Sequence, residues 1–164
     1  MLLLIVSFLL LLLPLGVSLD LFGGGPDPVV VGFLPFQSPP GEEELERTAI
    51  AVMEGVHGRF RDNAGSHLSL VGPSVTQRFR DSGRMPQELG RRIAADVVVI
   101  GGLRPGSENT ALLSVALIRV EDGRSLWTEE IELRTPTSPA GREELIQWLV
   151  SRLRRALQAT RVPS

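Results

Sequence analysis

The clearest pattern in the chain is a series of three apolar runs in its second half. The runs cover residues 95–103, 111–120 and 125–133, and polar or glycine-containing turns separate them. Runs of this length, rich in valine, isoleucine and leucine, predict β-strands. The Asp122-Gly123 dipeptide between the second and third runs suits a tight type I′ turn. The pattern therefore predicts an antiparallel meander.

The first half of the chain alternates between strand and helix patterns. Residues 29–36 are apolar at successive positions, which indicates a strand covered on both faces. Residues 42–61 place apolar side chains three and four positions apart, which predicts a helix with one buried face. A short strand at 67–71 follows, then an irregular connector at 73–85 with room for a partial helix, and then a second helix at 86–94.

The last predicted element is a helix that begins after Ser138. Ser138 suits the N-cap position and Pro139 the first helical position. An apolar stripe at helical spacing follows and consists of Leu145, Ile146, Leu149, Val150, Leu153 and Leu157. The element order β-α-β-α-β-β-β-α predicts a single α/β domain with a mixed five-stranded sheet. We expect the first three strands to be largely parallel through right-handed crossovers, the first strand to lie inside the sheet, the last two to form an antiparallel meander, and the helices to pack on the sheet.

Residues 1–19 contain no charged side chain and are mostly leucine. As a helix they would rise about 28 Å, close to the roughly 30 Å of a bilayer's hydrocarbon core, which suits an N-terminal membrane anchor. Pro14, followed by the small residues Gly16 and Ser18, also resembles the end of a secretory signal peptide cleaved after Ser18, although a positively charged start is missing. Both interpretations stay open, and both place the remaining chain across a membrane. The third alternative is a buried core helix or a misassigned start of the chain.

The residues after this leader divide into a linker, a domain and a tail. Residues 20–28 are rich in glycine and proline and predict a linker. The α/β domain is expected at 29–160, with a tail at 161–164. The first charges after the leader are acidic and the first arginine is Arg47, which agrees with export of the domain.

Composition narrows the chemistry that the chain can perform. The 164 residues carry a net charge of -2, which gives no general attraction to nucleic acid. The sequence has neither lysine nor cysteine, which excludes Schiff-base and thiol catalysis, disulfides and an acylated lipoprotein N-terminus. His57 and His67 are its two histidines, too few for a metal site without carboxylates at ligand spacing. Glu129, Glu130 and Glu132 fit an edge strand that resists edge-to-edge association. We therefore expect no catalytic residues, no cofactor and no metal.

Four residues are candidates for binding a partner. Arg78, Arg80 and Arg84 surround Phe79 in the connector and could dock an acidic partner. The alternative is a solvated connector that Phe79 anchors to the domain. Trp127 on the last strand is either a packing residue or an anchor for a partner protein.

Gly101 and Gly102 interrupt the strand predicted at 95–103. Glycine inside a strand indicates a kink or a close approach by another element, such as a helix. A phosphate-binding loop is disfavoured because neither a helix start nor a lysine follows the two glycines.

Several short motifs, taken in order, resemble the TolB amino-terminal-like domain. They are Phe33-Leu34-Pro35-Phe36 after a valine run, Leu89-Gly90-Arg91, the run from Asp96 to Gly101, Leu117-Ile118, and Gly123 with Leu126-Trp127. The resemblance extends from Val29 to about Leu133, with a plausible final helix. FlgO-type proteins, the curli-secretion lipoprotein and the penicillin-binding-protein activator share this layout.

The resemblance implies a bacterial domain beyond the inner membrane that binds other proteins and has no catalytic residues. The first functional hypothesis is thus a non-catalytic protein-binding module of the cell envelope, in the periplasm, anchored to the inner membrane or secreted. Its partner would be an envelope protein or a second copy of the chain. The alternative is an extracytoplasmic sensory or small-ligand-binding domain that signals to a membrane partner, which predicts a concave pocket with a few convergent polar groups.

Overall fold

A computed structural model describes residues 27–65, 67–80, 82–107, 109–134 and 138–159. The predicted leader at 1–19, most of the predicted linker and the tail at 161–164 lie outside the described residues. Among the helices that are described, none combines the length and apolar character that a membrane span requires.

The described residues form five strands and four α-helices. The strands are β1 (Val29–Phe33), β2 (Leu68–Val71), β3 (Val97–Pro105), β4 (Thr110–Arg119) and β5 (Ser125–Arg134). The helices are α1 (Glu43–Asp62), α2 (Pro73–Thr76), α3 (Pro86–Arg92) and α4 (Pro139–Ala159), and a 3-10 turn at Gln77–Phe79 continues α2. The partial helix predicted in the connector is thus α2 with its 3-10 turn. The predicted cap of the last helix is also present, because Ser138 Oγ accepts a hydrogen bond from the Gly141 N–H at 3.1 Å.

A single mixed sheet contains all five strands in the spatial order β2-β1-β3-β4-β5. β1 pairs in parallel with β2 on one side and β3 on the other, which places it inside the sheet as predicted. β3 with β4, and β4 with β5, pair antiparallel. The predicted fold class is therefore confirmed: an α/β domain with a mixed sheet, parallel first strands and an antiparallel meander at its end.

The two faces of the sheet are covered unequally. The long helices α1 and α4 lie on one face and form with it a large core of 22 buried residues, including Phe33, Phe60 and Leu149. The other face has a small core of five buried residues, Leu34, Leu89, Ala95, Val98 and Val120. In the part of the chain that the structure describes, the connector, the seven-residue helix α3 and the segment that begins with Leu34 cover this second face. The outer strands therefore keep part of that face open.

Gly101 and Gly102 accommodate the segment that follows β1, rather than a helix. A Cβ on Gly101 would lie 2.8 Å from the ring of Phe36, and a Cβ on Gly102 would lie 3.2 Å from the carbonyl oxygen of Gln37. The Gln37 N–H donates to the Gly101 oxygen at 2.9 Å, and the Gln37 oxygen accepts from the Leu103 N–H at 2.8 Å. The glycines are required because a backbone segment and a phenyl ring approach β3 closely at these positions.

The prediction of a tight type I′ turn at Asp122-Gly123 is wrong. Five residues separate β4 from β5, and Gly123 alone among them has a positive φ, +72°. Val120 is buried in the small core, and its N–H donates to the Asp96 oxygen at 2.9 Å. The Asp122 carboxylate instead accepts the Arg124 N–H at 3.0 Å. The Arg119 N–H donates to the Arg124 oxygen at 2.9 Å, so the four residues 120–123 form the loop, which is longer than the two-residue turn that the dipeptide alone indicates.

His57 lies on α1 with its ring edge-on to Phe33, at 5.3 Å between ring centroids. Burial of the imidazole, followed by repulsion from Arg61, lowers the pKa of His57 below its usual 6.5. The folded protein therefore disfavours the protonated ring. This contribution to stability is complete above pH 6.5 and is lost as the pH falls through the lowered pKa of the folded state.

We expect Gly101→Ala to lower the free energy of unfolding by about 1–3 kcal/mol, because the added methyl group overlaps the Phe36 ring. Gly58→Ala on α1 is the matched control. A Cβ at Gly58 meets nothing within 4 Å, so this change should stabilise the protein by about 0.5–1 kcal/mol through helix propensity. Urea denaturation of both variants measures the two effects. A Gly101→Ala protein as stable as the unmodified one would show that the ring does not occupy this position.

We expect the melting temperature to fall between pH 7.5 and pH 5.5, and the fall to be smaller in His57→Gln. Glutamine cannot take up a proton in this range, so the variant lacks the cost of charging a half-buried imidazole. Thermal melts followed by circular dichroism at several pH values measure the difference. Identical pH profiles for the two proteins would contradict the lowered pKa of His57.

Candidate functional site

An open cleft of about 380 Å³ lies on the second face of the sheet, where the small core ends. Its floor includes Ile100 of β3 with Ser114 and Ala116 of β4, all three half-buried. Phe79 of the connector and Pro86 of α3 form part of its wall. The cleft exists because the connector and α3 end above β3, while β4 and β5 continue outward and none of the described helices covers them on this face.

Arg80 is the central residue of the cleft wall. Its side chain is only 18% exposed and forms an ion pair through Nη1 with Glu46 of α1. The carbonyl oxygen of Arg80 accepts a hydrogen bond from Gln37 Nε2 at 3.3 Å. Its buried Nε and Nη2 atoms have no hydrogen-bond partner among the described residues. Arg80 thus joins the connector to α1 and leaves part of its guanidinium unsatisfied beside the cleft.

The other two predicted arginines are close to the same cleft. Arg84 lines the cleft and is exposed. Arg78 is also exposed, and its guanidinium carbon lies 4.8 Å from the centroid of the Phe79 ring, a cation–π distance. Among the described lining residues, Arg80 and Arg84 carry the only charges, and both are positive. The structure thus places two guanidinium groups along one wall of the cleft, and one of them is ion-paired with Glu46.

Trp127 lies on the opposite face of the sheet from the arginines. It pairs with Leu117 across β4 and β5, is half-buried, and packs against the large core. The indole therefore packs against the large core, which agrees with the interpretation of Trp127 as a packing residue. Sequence reasoning grouped it with the arginines as a candidate, but the structure does not bring it to the cleft.

Carboxylates on β5 occupy the open face beyond the cleft. Glu130 accepts hydrogen bonds from Ser114 Oγ and Arg104 Nη2, each at 3.0 Å. The Ser114 hydrogen bond, followed by the bond and charge of Arg104, lowers the pKa of Glu130. Glu132 accepts from Thr110 Oγ1 at 2.8 Å. Both carboxylates lie on an edge strand, as predicted, and the lowered pKa of Glu130 favours its ionised state.

The usual ligand position of an open α/β sheet is filled by the protein itself. Such sheets bind ligands beyond the carboxyl ends of the strands, where the strand order reverses. Here this point lies between β1 and β3, and Gln37 forms a parallel bridge to Gly102 across it. No group of three or more metal-ligating side chains occurs within the described ranges. The arrangement suits binding on the second face more than chemistry at the strand ends.

Sequence reasoning missed the floor of the cleft. Ser114, Ala116 and Thr128 are small or polar residues that face the same side as Ile100. The available signal was the alternation in β4, where Ser114 and Ala116 separate larger apolar residues that face the large core. This alternation identifies a face of β4 that is not densely packed. It does not indicate that the connector ends beside this face.

The sequence matches no protein-family profile and no curated protein sequence. TolB from Acinetobacter baumannii aligns at a TM-score of 0.52 and 11% identity, over 81% of this chain and 29% of TolB. The hypothetical protein CT253 from Chlamydia trachomatis aligns at 0.51 and 15% identity, over 80% of this chain and 99% of CT253. Lipoprotein GNA1162 from Neisseria meningitidis aligns at 0.49 and 16% identity, over 80% and 99% of the two chains. Similarity at these identities concerns the fold. The chain has the fold of the TolB amino-terminal-like domain, as its sequence motifs indicated.

Proposed function

We propose that this protein is a non-catalytic protein-binding module of the bacterial cell envelope, with an adaptor or assembly role. The observation that supports the proposal most directly is the open second face of the sheet with its cleft. A scaffold that buries 22 residues on one face keeps the other face accessible. Such a surface has apolar area, a positive wall and exposed polar residues, which is the composition of a typical interface between separately folded proteins.

The proposed location rests on the leader and on the TolB-like resemblance. Residues 1–19 have the length and apolar character of a membrane anchor or a secretory signal. The proposal places the domain in the periplasm, either held at the inner membrane or released from it. An envelope protein or a second copy of the chain is the proposed partner.

A second candidate function is binding of a small ligand by an extracytoplasmic sensory domain. The observation that favours it is the cleft volume of about 380 Å³, which falls in the range of small-molecule sites. Two features favour a protein partner over this alternative. The cleft is open along one side, and its floor continues into the exposed face of β5, where Thr128, Glu130 and Glu132 lie.

A photocrosslinking amino acid at Thr128, in the full chain expressed in its native cells, tests the protein-binding role. Thr128 is exposed and lines the cleft, so we expect a discrete adduct with one protein, or a dimer of the chain. The matched control position is Arg155, which is exposed on α4. Ala116→Phe, which fills the floor, should remove the Thr128 adduct while the Arg155 background remains.

Each outcome of this experiment is decisive. The same adducts from Thr128 and Arg155 would show that capture is non-specific and would contradict the proposal. No protein adduct from Thr128 would also contradict it and would favour the small-ligand alternative. Circular dichroism of the Ala116→Phe protein confirms that the loss of an adduct does not come from unfolding.

We expect N-terminal sequencing of fractionated native cells to find the chain in the envelope fraction only. A retained anchor would give Met1, whereas a cleaved signal would give a chain that begins after Ser18. A variant with Leu10→Arg and Leu12→Arg places two charges in the apolar centre and should leave the chain in the cytosol, because each charge costs about 2.5–3.5 kcal/mol at the centre of a membrane helix. Recovery of the unmodified full chain from the cytosol would contradict the proposed location.

A further inference from the structure

We infer that the cleft binds an acidic, apolar segment of a partner polypeptide, with an apolar side chain on the floor and an adjacent carboxylate at the arginine wall. The inference rests on the proposed protein-binding function and names the chemistry of the partner. It uses three observations: the apolar floor, the exposed Arg84 with the unsatisfied N–H groups of Arg80 at the wall, and the long open strip of strand beyond the cleft.

The floor suits an apolar side chain of moderate size. Ile100 and Ala116 are half-buried neighbours across β3 and β4, directly paired in the sheet. Phe79 and Pro86 face them from the connector side. A side chain placed between these four residues would remove apolar surface from water on both sides, which is the main source of affinity in such contacts.

The wall of the cleft favours a negative group next to that side chain. Arg84 is exposed and lines the cleft, so its guanidinium can contact a carboxylate directly. Arg80 lies deeper, and its charge is compensated by Glu46 through Nη1, while its buried Nε and Nη2 atoms have no hydrogen-bond partner among the described residues. The described lining residues include no carboxylate, and Asp81 lies outside the described residues. Arg84 is therefore the proposed contact residue, and Arg80 is a positioning residue that holds the wall and adds to its potential.

The open strip beyond the cleft favours a polypeptide over a small acid. β4 and β5 have ten residues each, and a strand of that length extends about 33 Å. Ser114 and Thr128 continue the floor outward, toward the Arg104–Glu130 ion pair and the exposed Glu132, so the acidic group of the segment belongs at the arginine wall and not on this strip. An extended segment anchored in the cleft can lie along this strip, whereas a small acid would use the cleft alone.

The test is a selection of random twelve-residue peptides against the full chain in lipid nanodiscs, with empty nanodiscs for counter-selection. We expect the selected peptides to carry Asp or Glu within two positions of a large apolar residue. Arg84→Gln should weaken their binding about three- to tenfold, the equivalent of one exposed ion pair in a partly apolar site. Arg92→Gln, which removes an exposed arginine of α3 that does not line the cleft, should change the affinity less than about twofold.

Two further measurements make the result specific to the cleft. Thr128→Trp narrows its mouth at an exposed strand position, so it should abolish binding without unfolding the domain. Raising sodium chloride from about 0.05 to 0.5 M should weaken peptide binding to the unmodified protein more than to Arg84→Gln. Salt screens the attraction between Arg84 and the peptide carboxylate, and the variant lacks this attraction. Octanoate, an apolar carboxylate without a peptide chain, should displace the peptides only at millimolar concentration.

The outcomes separate this inference from the proposed function. Selected peptides without an acidic preference, or equal losses in Arg84→Gln and Arg92→Gln, would overturn the inference while a partner captured at Thr128 upholds the protein-binding role. Octanoate binding as tight as the peptides, or selection of no peptide at all, would overturn the inference as well. Acidic peptides that bind in the cleft, without any adduct in cells, would uphold the chemistry of the site and contradict the proposed function.

Discussion

The structure depends on one constraint, which is that the chain places both of its long helices on the same face of the sheet. Helices α1 and α4 have 20 and 21 residues, and they pack together over the large core. The chain that crosses the other face between β2 and β3 is short and partly irregular. Because β3, β4 and β5 are about twice as long as β1 and β2, the outer strands extend past this crossing. The cleft lies where the part of the second face that the connector covers meets the part that it leaves exposed.

A few well-defined polar contacts hold the cleft wall, in addition to the small core against which Phe79 packs. Thr76 is fully buried, and its hydroxyl donates to the Phe33 oxygen at 2.6 Å, which fixes the start of the connector at the end of β1. The Arg80–Glu46 ion pair fixes its middle to α1. A buried hydroxyl and a largely buried guanidinium therefore help to fix the position of the wall, since loss of either bond would leave a buried polar group unsatisfied. Arg84 is exposed and takes part in neither of these two contacts.

The secondary structure could be predicted because each element carries its own periodic pattern. The stripe from Leu145 to Leu157 and the valines of β3 identify their elements without knowledge of their neighbours. The turn after β4 could not be predicted from Asp122-Gly123, because the burial of Val120 is decided by the distant small core. The cleft was equally inaccessible, since its floor and its wall come from segments separated in the chain and only the sheet order brings them together. The arginines were recognisable as candidates, whereas the separation of Trp127 from them follows from strand register.

The unequal faces have a consequence for how such modules diversify. Substitutions at the half-buried Ser114 or the exposed Thr128 of the second face alter the outer surface while the large core beneath stays intact. Selection can therefore change the exposed surface of the second face and the stability of the domain nearly independently of each other. A lineage that preserved only the large core could acquire different surfaces on the second face. Its members would then share a fold while their sequences diverge until the similarity is no longer detectable.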